Sequence, residues 1–172
     1  MFTATAAYSG FTIEPENAER IKVTHYSAEE VIKQFLSIYA CMDFETELAD
    51  MGIGRFRFFL RRKALREFTA LFAALWYLAL QKSFPKDAGN FFSAFRESSS
   101  MLNNGSREAA ALGPRIDAYV ELVQIKKDAD FLPVAEYMTR SLALKPGDFA
   151  RLRLKLSLHI RKLYMLIFDK LV

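Results

Sequence analysis

"FTALFAALWYLALQ", residues 68–81, is the stretch of sequence that decides the fold. Apart from Thr69 and Gln81, every side chain in it is aliphatic or aromatic, so a helix formed here is apolar on nearly all sides. Such a helix is stable only where other elements surround it. The uncharged run from Phe68 to Leu80 has thirteen residues, whereas a membrane-spanning helix needs about twenty. The pattern therefore predicts the central helix of a bundle rather than a membrane span.

The helix around this stretch is predicted to cover residues 55–83. It must end before Pro85, because a residue that precedes proline avoids helical geometry. Ala, Leu, Arg and Lys dominate it, and all are good helix formers. An earlier helix is predicted to begin at "SAEE", residues 27–30, which has the spacing of a capping box. Gly52 and Gly54 are expected to end that helix.

Capping residues and prolines mark further helices downstream. The first is a helix capped by Asp87, and the second is a short piece that is capped by Ser106 and broken at Gly113-Pro114. A helix from Pro114 to Lys127 and a helix from Asp130 to a stop at Lys145-Pro146-Gly147 follow. The last helix is capped by Asp148. The sequence therefore predicts an all-α, single-domain bundle of five to seven helices with a long central helix over residues 26–172. An extended N-terminal arm over residues 1–25 is predicted to precede it.

One stretch of the last helix is ambiguous. "RLRLKLSLHI", residues 151–160, alternates between polar and apolar residues as a half-buried strand does. Leucine, however, is a better helix former than strand former, and an apolar stripe at helical spacing continues to Ile167. Helix is favoured here, and a strand is the alternative.

Composition and charge narrow the class of protein. The 172 residues are enough for one domain with a core. The net charge of +4 mildly favours anionic partners. Cys41 is the single cysteine, which excludes an intrachain disulfide and favours a reducing compartment. The first residues of the chain lack the basic and apolar regions of a signal peptide, so a cytoplasmic location without membrane attachment is expected.

A cluster of cations begins just before the central helix, in "GIGRFRFFLRRKALREF" at residues 52–68. Its cationic side chains are Arg55, Arg57, Arg61, Arg62, Lys63 and Arg66. Cations at a helix start oppose the helix dipole unless an anion binds there, and arginine matches the geometry of phosphate best. Phe56, Phe58 and Phe59 would stack on bases if they are exposed. We therefore expect this segment to hold a nucleic-acid backbone, RNA or DNA, without reading its sequence.

On a helix at about 100° per residue, Arg55, Arg62 and Arg66 would form one stripe. Arg57 and Arg61 would instead point towards the apolar face. Unpaired guanidinium groups are expensive to bury. This end of the helix is therefore expected to protrude from the bundle, or else those two arginines have acidic partners.

A second basic set on the last helix is predicted to widen this patch. It begins with Arg151, Arg153 and Lys155, the three residues expected to bind nucleic acid, and continues with Arg161 and Lys162. An acidic block just upstream of the arginines favours a different interpretation, and its members are Asp43, Glu45, Glu47 and Asp50. If the chain folds back at the glycines, Asp50 approaches Arg55. Asp43 then approaches Arg62, and the arginines are neutralised inside the chain.

No residue pattern indicates catalysis, a cofactor or a metal. His25 and His159 lack the spacing of metal ligands, and Cys41 has no second cysteine. We therefore expect a non-enzymatic subunit of a larger assembly, with nucleic acid and a protein partner or a second copy of itself as its ligands. One alternative is a helical adaptor that recruits a protein through the apolar last helix or the arm. Another is a bundle that binds a small hydrophobic ligand beside Trp76, unless the rings there simply form the core.

Overall fold

The structure of the chain, a computed structural model, describes residues 26–102, 107–126, 129–144 and 149–171. These residues form seven α-helices and no strand. The helices are α1 (Ala28–Ala40), α2 (Glu45–Asp50), α3 (Phe58–Ser83), α4 (Ala88–Leu102), α5 (Arg107–Lys126), α6 (Leu132–Ser141) and α7 (Phe149–Leu171). The prediction of an all-α bundle is confirmed. The predicted arm, the caps Ser106 and Asp148 and the stop at 145–147 lie outside the described residues.

The central helix is α3, as the sequence of residues 68–81 predicts. Every residue over 70–76 is buried. Helices α4, α5 and α7 pack against this helix, and Phe35 of α1 contacts two of its rings. The ring of Trp76 lies 4.9 Å from that of Phe35 on α1 and 5.1 Å from that of Phe95 on α4, measured between centroids. The aromatic residues around Trp76 are therefore core residues, and buried residues of all seven helices join them in one contiguous cluster.

The first predicted helix is in fact two helices. Ala40 ends α1, and Asp43 Oδ1 then accepts the backbone N–H of Glu45 at 3.0 Å. The aspartate side chain thereby satisfies an amide at the start of α2, which competes with a continuous helix. The predicted capping box is confirmed, because the Glu30 N–H donates to Ser27 Oγ at 3.2 Å and the Ser27 N–H donates to Glu30 Oε2 at 2.8 Å.

The end of α2 requires glycine at position 52. Gly52 has a φ of +69°, in the left-handed region. Its N–H donates to the Ala49 carbonyl at 2.9 Å, and the Ile53 N–H donates to the Leu48 carbonyl at 2.8 Å. These are the two bonds of a Schellman motif, and Ile53 and Leu48 supply its apolar contact because both are buried. The predicted stop is confirmed, and it sets the direction in which the chain leaves the bundle.

Replacing Gly52 with alanine is expected to lower the free energy of unfolding by about 1–2 kcal/mol, because a left-handed backbone disfavours L-residues by that amount. No atom lies within 4 Å of the Cβ that alanine would add, so the loss comes from the backbone and not from a clash. Urea denaturation measures it. Gly54→Ala is the control, since its Cβ also meets open space and its φ is not positive. Equal losses in the two variants would contradict the role of Gly52.

The fifth helix runs unbroken through Gly113-Pro114, so the predicted break there is wrong. Proline removes one N–H, and its ring disturbs the hydrogen bonds of the preceding turn. Arg115 Nη1 donates to the Ala111 carbonyl in that turn at 2.9 Å. The carbonyl that loses its donor at Pro114 is that of Ala110, one residue before the Ala111 carbonyl that Arg115 binds.

Residues 151–160 lie within α7, so helix is confirmed for this stretch and the strand alternative is wrong. Leu152 and Leu156 are buried in the core, whereas Leu154 and Leu158 are exposed. The seventh helix runs in the same direction as α3. Lys82, at the end of α3, places its Nζ 5.9 Å from the centroid of the Phe168 ring near the end of α7.

Candidate nucleic-acid interface

The third helix begins at Phe58, three residues later than predicted. The Arg57 N–H donates to the Gly54 carbonyl at 3.0 Å, which closes a turn over residues 54–57. Arg55 and Arg57 therefore lie before the helix and not on it. The predicted helical stripe is wrong for Arg55, because its backbone belongs to this turn.

Residues 55–59, which we call the tip, stand at the surface between α2 and α3. The exposed fractions of Phe56, Phe58 and Phe59 are 92%, 70% and 94%. Phenylalanine is usually buried, and a contiguous exposed apolar patch marks an interaction site. Stacking on bases requires exposed rings, and these three rings are exposed.

The tip also carries positive charge. The side chains of Arg55 and Arg57 are exposed, and within the described part of the chain neither guanidinium group has an ion-pair or hydrogen-bond partner. The first turn of α3 contains no acidic residue, and no side chain caps its amides. The positive end of the helix dipole is therefore not offset by a neighbouring carboxylate of that turn.

Two further cations of the segment are engaged inside the chain. Arg61 forms an ion pair with Glu45 at the start of α2. Lys63 Nζ donates to the Ser141 carbonyl at the end of α6, at 2.6 Å. The two arginines expected to point towards the apolar face differ: Arg57 lies before the helix and is exposed, whereas Arg61 has the acidic partner that one alternative predicts.

The last two cations of the segment lie on the outer side of α3. Arg62 is exposed, and Arg66 is half-buried one turn further along. Arg66 Nε donates to the Arg62 carbonyl at 3.4 Å, which holds its guanidinium group along the helix. The exposed cations of the segment, which lie near the three rings, are therefore Arg55, Arg57 and Arg62.

The start of the second basic set is largely occupied by ion pairs. Arg153 Nη1 lies 3.1 Å from Glu136 Oε2 on α6, and Lys155 Nζ lies 3.0 Å from Asp50 Oδ1 on α2. Arg151 is exposed at the start of α7. Two of these three residues are thus neutralised by acids of this chain.

The starts of α3 and α7 nevertheless lie at the same end of the bundle, because α6 contacts both. Lys63, near the start of α3, bonds to the last residue of α6. Arg153, near the start of α7, pairs with Glu136 on the same helix. The structure thus brings the arginine segment and the start of the second basic set to one end, as the prediction of a widened patch requires.

One member of the acidic block, Glu45, pairs with Arg61 of the arginine segment as predicted, whereas the other three have different partners. Glu47 Oε1 lies 3.0 Å from His159 Nδ1, and Asp50 Oδ1 accepts from Lys155 Nζ. Asp43, the third member, bonds to an amide at the start of α2. The predicted pairing is wrong for these three acids, because two of them fasten α2 to α7 and the third caps α2.

A buried polar cluster on α3 was missed by the sequence analysis. Glu67 is only 1% exposed. Its Oε1 accepts from Arg115 Nε at 3.0 Å and from Ser141 Oγ at 2.9 Å, and its Oε2 accepts from the Tyr119 hydroxyl at 3.0 Å. Burial and the charge of Glu67 raise the pKa of Tyr119 far above its ordinary range, so the hydroxyl stays a donor. Three donors explain how a carboxylate is accommodated in this core.

An open cleft of about 450 Å³ lies beside this cluster. Its walls include Glu67, Arg115, Tyr137 and Ser141. Both oxygens of the carboxylate already have donors from α5 or α6. Glu67 therefore joins three helices, and this role accounts for the polar groups that the cleft contains.

Comparisons of the chain with protein-family models, with curated proteins and with solved structures give no match. Over the described ranges, no helix combines the length and apolar character needed to cross a membrane. In the same ranges, no three His, Cys, Asp or Glu side chains converge as metal ligands. Among the exposed surfaces of the described residues, the tip combines three exposed phenylalanine rings with exposed arginines.

Proposed function

We propose that this chain is a non-enzymatic helical subunit that holds single-stranded nucleic acid at the tip, without reading its sequence. The observation that carries the proposal is the exposure of Phe56, Phe58 and Phe59 beside two exposed arginines. Aromatic rings next to cations in solvent suit a ligand that is both planar and anionic. Unpaired nucleotides are such a ligand.

The rings of the tip account for the preference for single strands. A base that stacks on an aromatic side chain contributes about 1–3 kcal/mol to binding. Bases of a duplex are already stacked on one another, so the rings gain little from a duplex. Every base has a π face, and binding by stacking therefore tolerates any sequence.

The arginines of the tip account for affinity to the backbone. Arg55 and Arg57 alternate with Phe56 and Phe58 along the chain, and a nucleotide strand likewise alternates phosphate with base. Guanidinium groups bind phosphate oxygens through paired, charge-assisted hydrogen bonds. The uncapped start of α3 adds amide donors and the positive end of a dipole. Contacts of this kind position a strand but do not specify its sequence.

Fluorescence anisotropy with labelled oligonucleotides, single-stranded and duplex, tests the proposal over a series of salt concentrations. The variant F56A/F58A/F59A is expected to bind the single strand about 10–100-fold more weakly, which is the loss of one or two stacked bases. The variant R55Q/R57Q is expected to lower the slope of log affinity against log salt by about 1.4, since each phosphate contact in a single strand contributes about 0.7.

Matched controls exist at the other end of the bundle. K86Q/K126Q removes the same charge from two exposed lysines that follow α3 and end α5, and it should leave the single-strand affinity nearly unchanged. Ile125→Ala removes an apolar side chain that is exposed far from the tip. Absence of binding at low salt overturns the proposal. Binding that the triple phenylalanine variant retains in full, or a preference for duplex, overturns it as well.

A further inference from the structure

The last helix, α7, has two apolar faces, and the bundle covers one of them. The covered face contains the buried residues Leu152, Leu156, Ile160 and Ile167. At about 100° per residue, Leu154, Leu158 and Met165 fall within about 40° of one another on the opposite side of the helix. We call these three residues the outer stripe. In the described chain, no other helix packs over them, because all three are exposed.

The alternating sequence of residues 151–160 is a consequence of these two faces. Two residues turn an α-helix by about 200°, so leucines at every second position occupy opposite sides in turn. Leu152 and Leu156 therefore share the buried side, and Leu154 and Leu158 share the outer side. An alternation that resembles a strand is, in a helix, the pattern of two opposite apolar faces. In this chain one of these faces is buried against the bundle, and the other is exposed.

The outer stripe is an exposed row of apolar residues. Leu154, Leu158 and Met165 are 54%, 50% and 49% exposed. Single exposed apolar residues are ordinary on protein surfaces. Here three exposed apolar residues lie in line over eleven positions, which is about 16 Å at 1.5 Å per residue. This length is sufficient to contact a second helix.

Two neighbouring helices border the outer stripe. On one side, Lys155 contacts Asp50 of α2 at 3.0 Å. On the other side, Arg153 contacts Glu136 of α6 at 3.1 Å. Because Lys155 and Arg153 lie about 100° to either side of Leu154, α2 and α6 flank α7, and the stripe lies on its outward face between them. An exposed helix face of this kind can pack along the face of a further helix.

Two cations interrupt the outer stripe, and their charge favours a binding partner that carries carboxylates. Arg161 and Lys162 are exposed between Leu158 and Met165, and Asp169 is the one acidic residue of α7. A second copy of this chain would bring these cations against their own counterparts at the centre of an antiparallel pair. A helix with carboxylates next to its apolar residues would instead find complementary charges.

We propose that the outer stripe binds an amphipathic helix of a partner protein, in which Asp or Glu residues flank the apolar positions. The partner helix packs along the outward face of α7, with apolar anchors spaced at three, four or seven residues. Leu154, Leu158 and Met165 receive the anchors, and Arg161 and Lys162 pair with the flanking acids. The proposal does not depend on nucleic-acid binding at the tip.

A display library of helical peptides, about 18 residues or five turns long and randomised at their surface positions, tests the proposal on the full chain. Enriched peptides are expected to carry Leu, Ile, Phe or Met at helical spacing beside Asp or Glu. The variant L154S/L158S/M165S is expected to bind them at least about tenfold more weakly, because it removes the central contacts. The variant R161Q/K162Q is expected to weaken binding several-fold and to reduce its salt dependence.

Controls separate this surface from the tip and from self-association. The stripe variant should keep the helical circular dichroism spectrum of the parent and melt within about 5 °C of it, since the three side chains are about half exposed and serine is a weaker helix former. F56A/F58A/F59A should bind the peptides as the parent does. Enrichment of basic peptides, undiminished binding by the stripe variant, or no enrichment overturns the proposal. A dimer in sedimentation velocity that L154S/L158S/M165S abolishes also overturns it, because a second copy would then occupy the stripe.

Discussion

Replacing Arg115 with methionine is expected to lower the free energy of unfolding by about 3 kcal/mol. The reason is the carboxylate that it leaves behind: Glu67 is 1% exposed, and its remaining donors are the hydroxyl groups of Tyr119 and Ser141. Removing one partner of a buried ion pair generally costs about 3–5 kcal/mol, because the other charge then lacks compensation. The lower end applies here, since two hydrogen bonds to Glu67 survive.

Urea denaturation followed by fluorescence measures this loss. Trp76 is the single tryptophan of the chain and is fully buried, so its emission reports on global unfolding. The double variant R115M/E67L is expected to recover much of the stability, because replacing a buried pair by apolar residues is often neutral. Arg96→Met is the matched control, since Arg96 pairs with Asp117 at the surface, where pairs contribute about 0–1 kcal/mol. Equal losses for the two single variants would contradict a buried, coupled cluster.

Local signals explain why the helical class was predictable from the sequence. A capping box, a glycine in the left-handed region and an apolar run all act within a few residues of where they occur. The break between α1 and α2 was missed because one hydrogen bond, from the Glu45 amide to Asp43, competes with an otherwise favourable helix. Pro114 does not end α5, because a proline removes one hydrogen bond of a helix that also packs against α3.

The residues of the candidate site could be predicted from the sequence, but the partners of its charged neighbours could not. The cations and rings of the tip are adjacent in sequence, and their exposure follows from the Gly52 motif and the turn behind it. The partners of Glu67, by contrast, lie 48, 52 and 74 residues further along the chain. No pattern around Glu67 indicates them, because it follows Arg66 and precedes Phe68 as an ordinary surface carboxylate would. Contacts at such separations are set by how the helices pack.

Replacing Phe35 with alanine is expected to lower the free energy of unfolding by about 3–5 kcal/mol, the usual loss when a buried phenylalanine is removed from a core. Phe35 joins α1 to two other helices. Its ring centroid lies 5.2 Å from that of Phe72, 4.9 Å from that of Trp76 and 4.5 Å from that of Phe95. Few other residues contact so many rings, and the close packing of the α1, α3 and α4 faces leaves little room to collapse into the cavity.

The neighbouring residue provides the control for Phe35. Leu36 points away from the core and is 46% exposed, so Leu36→Ala is expected to change the free energy of unfolding by about 0.5 kcal/mol or less. Both variants are measured by urea denaturation with Trp76 as the probe. In the Phe35→Ala variant the Trp76 emission of the folded state should also shift, because one ring of its surroundings is gone. If the two substitutions have similar effects, α1 does not pack on α3 and α4 through Phe35, and the aromatic core is organised differently.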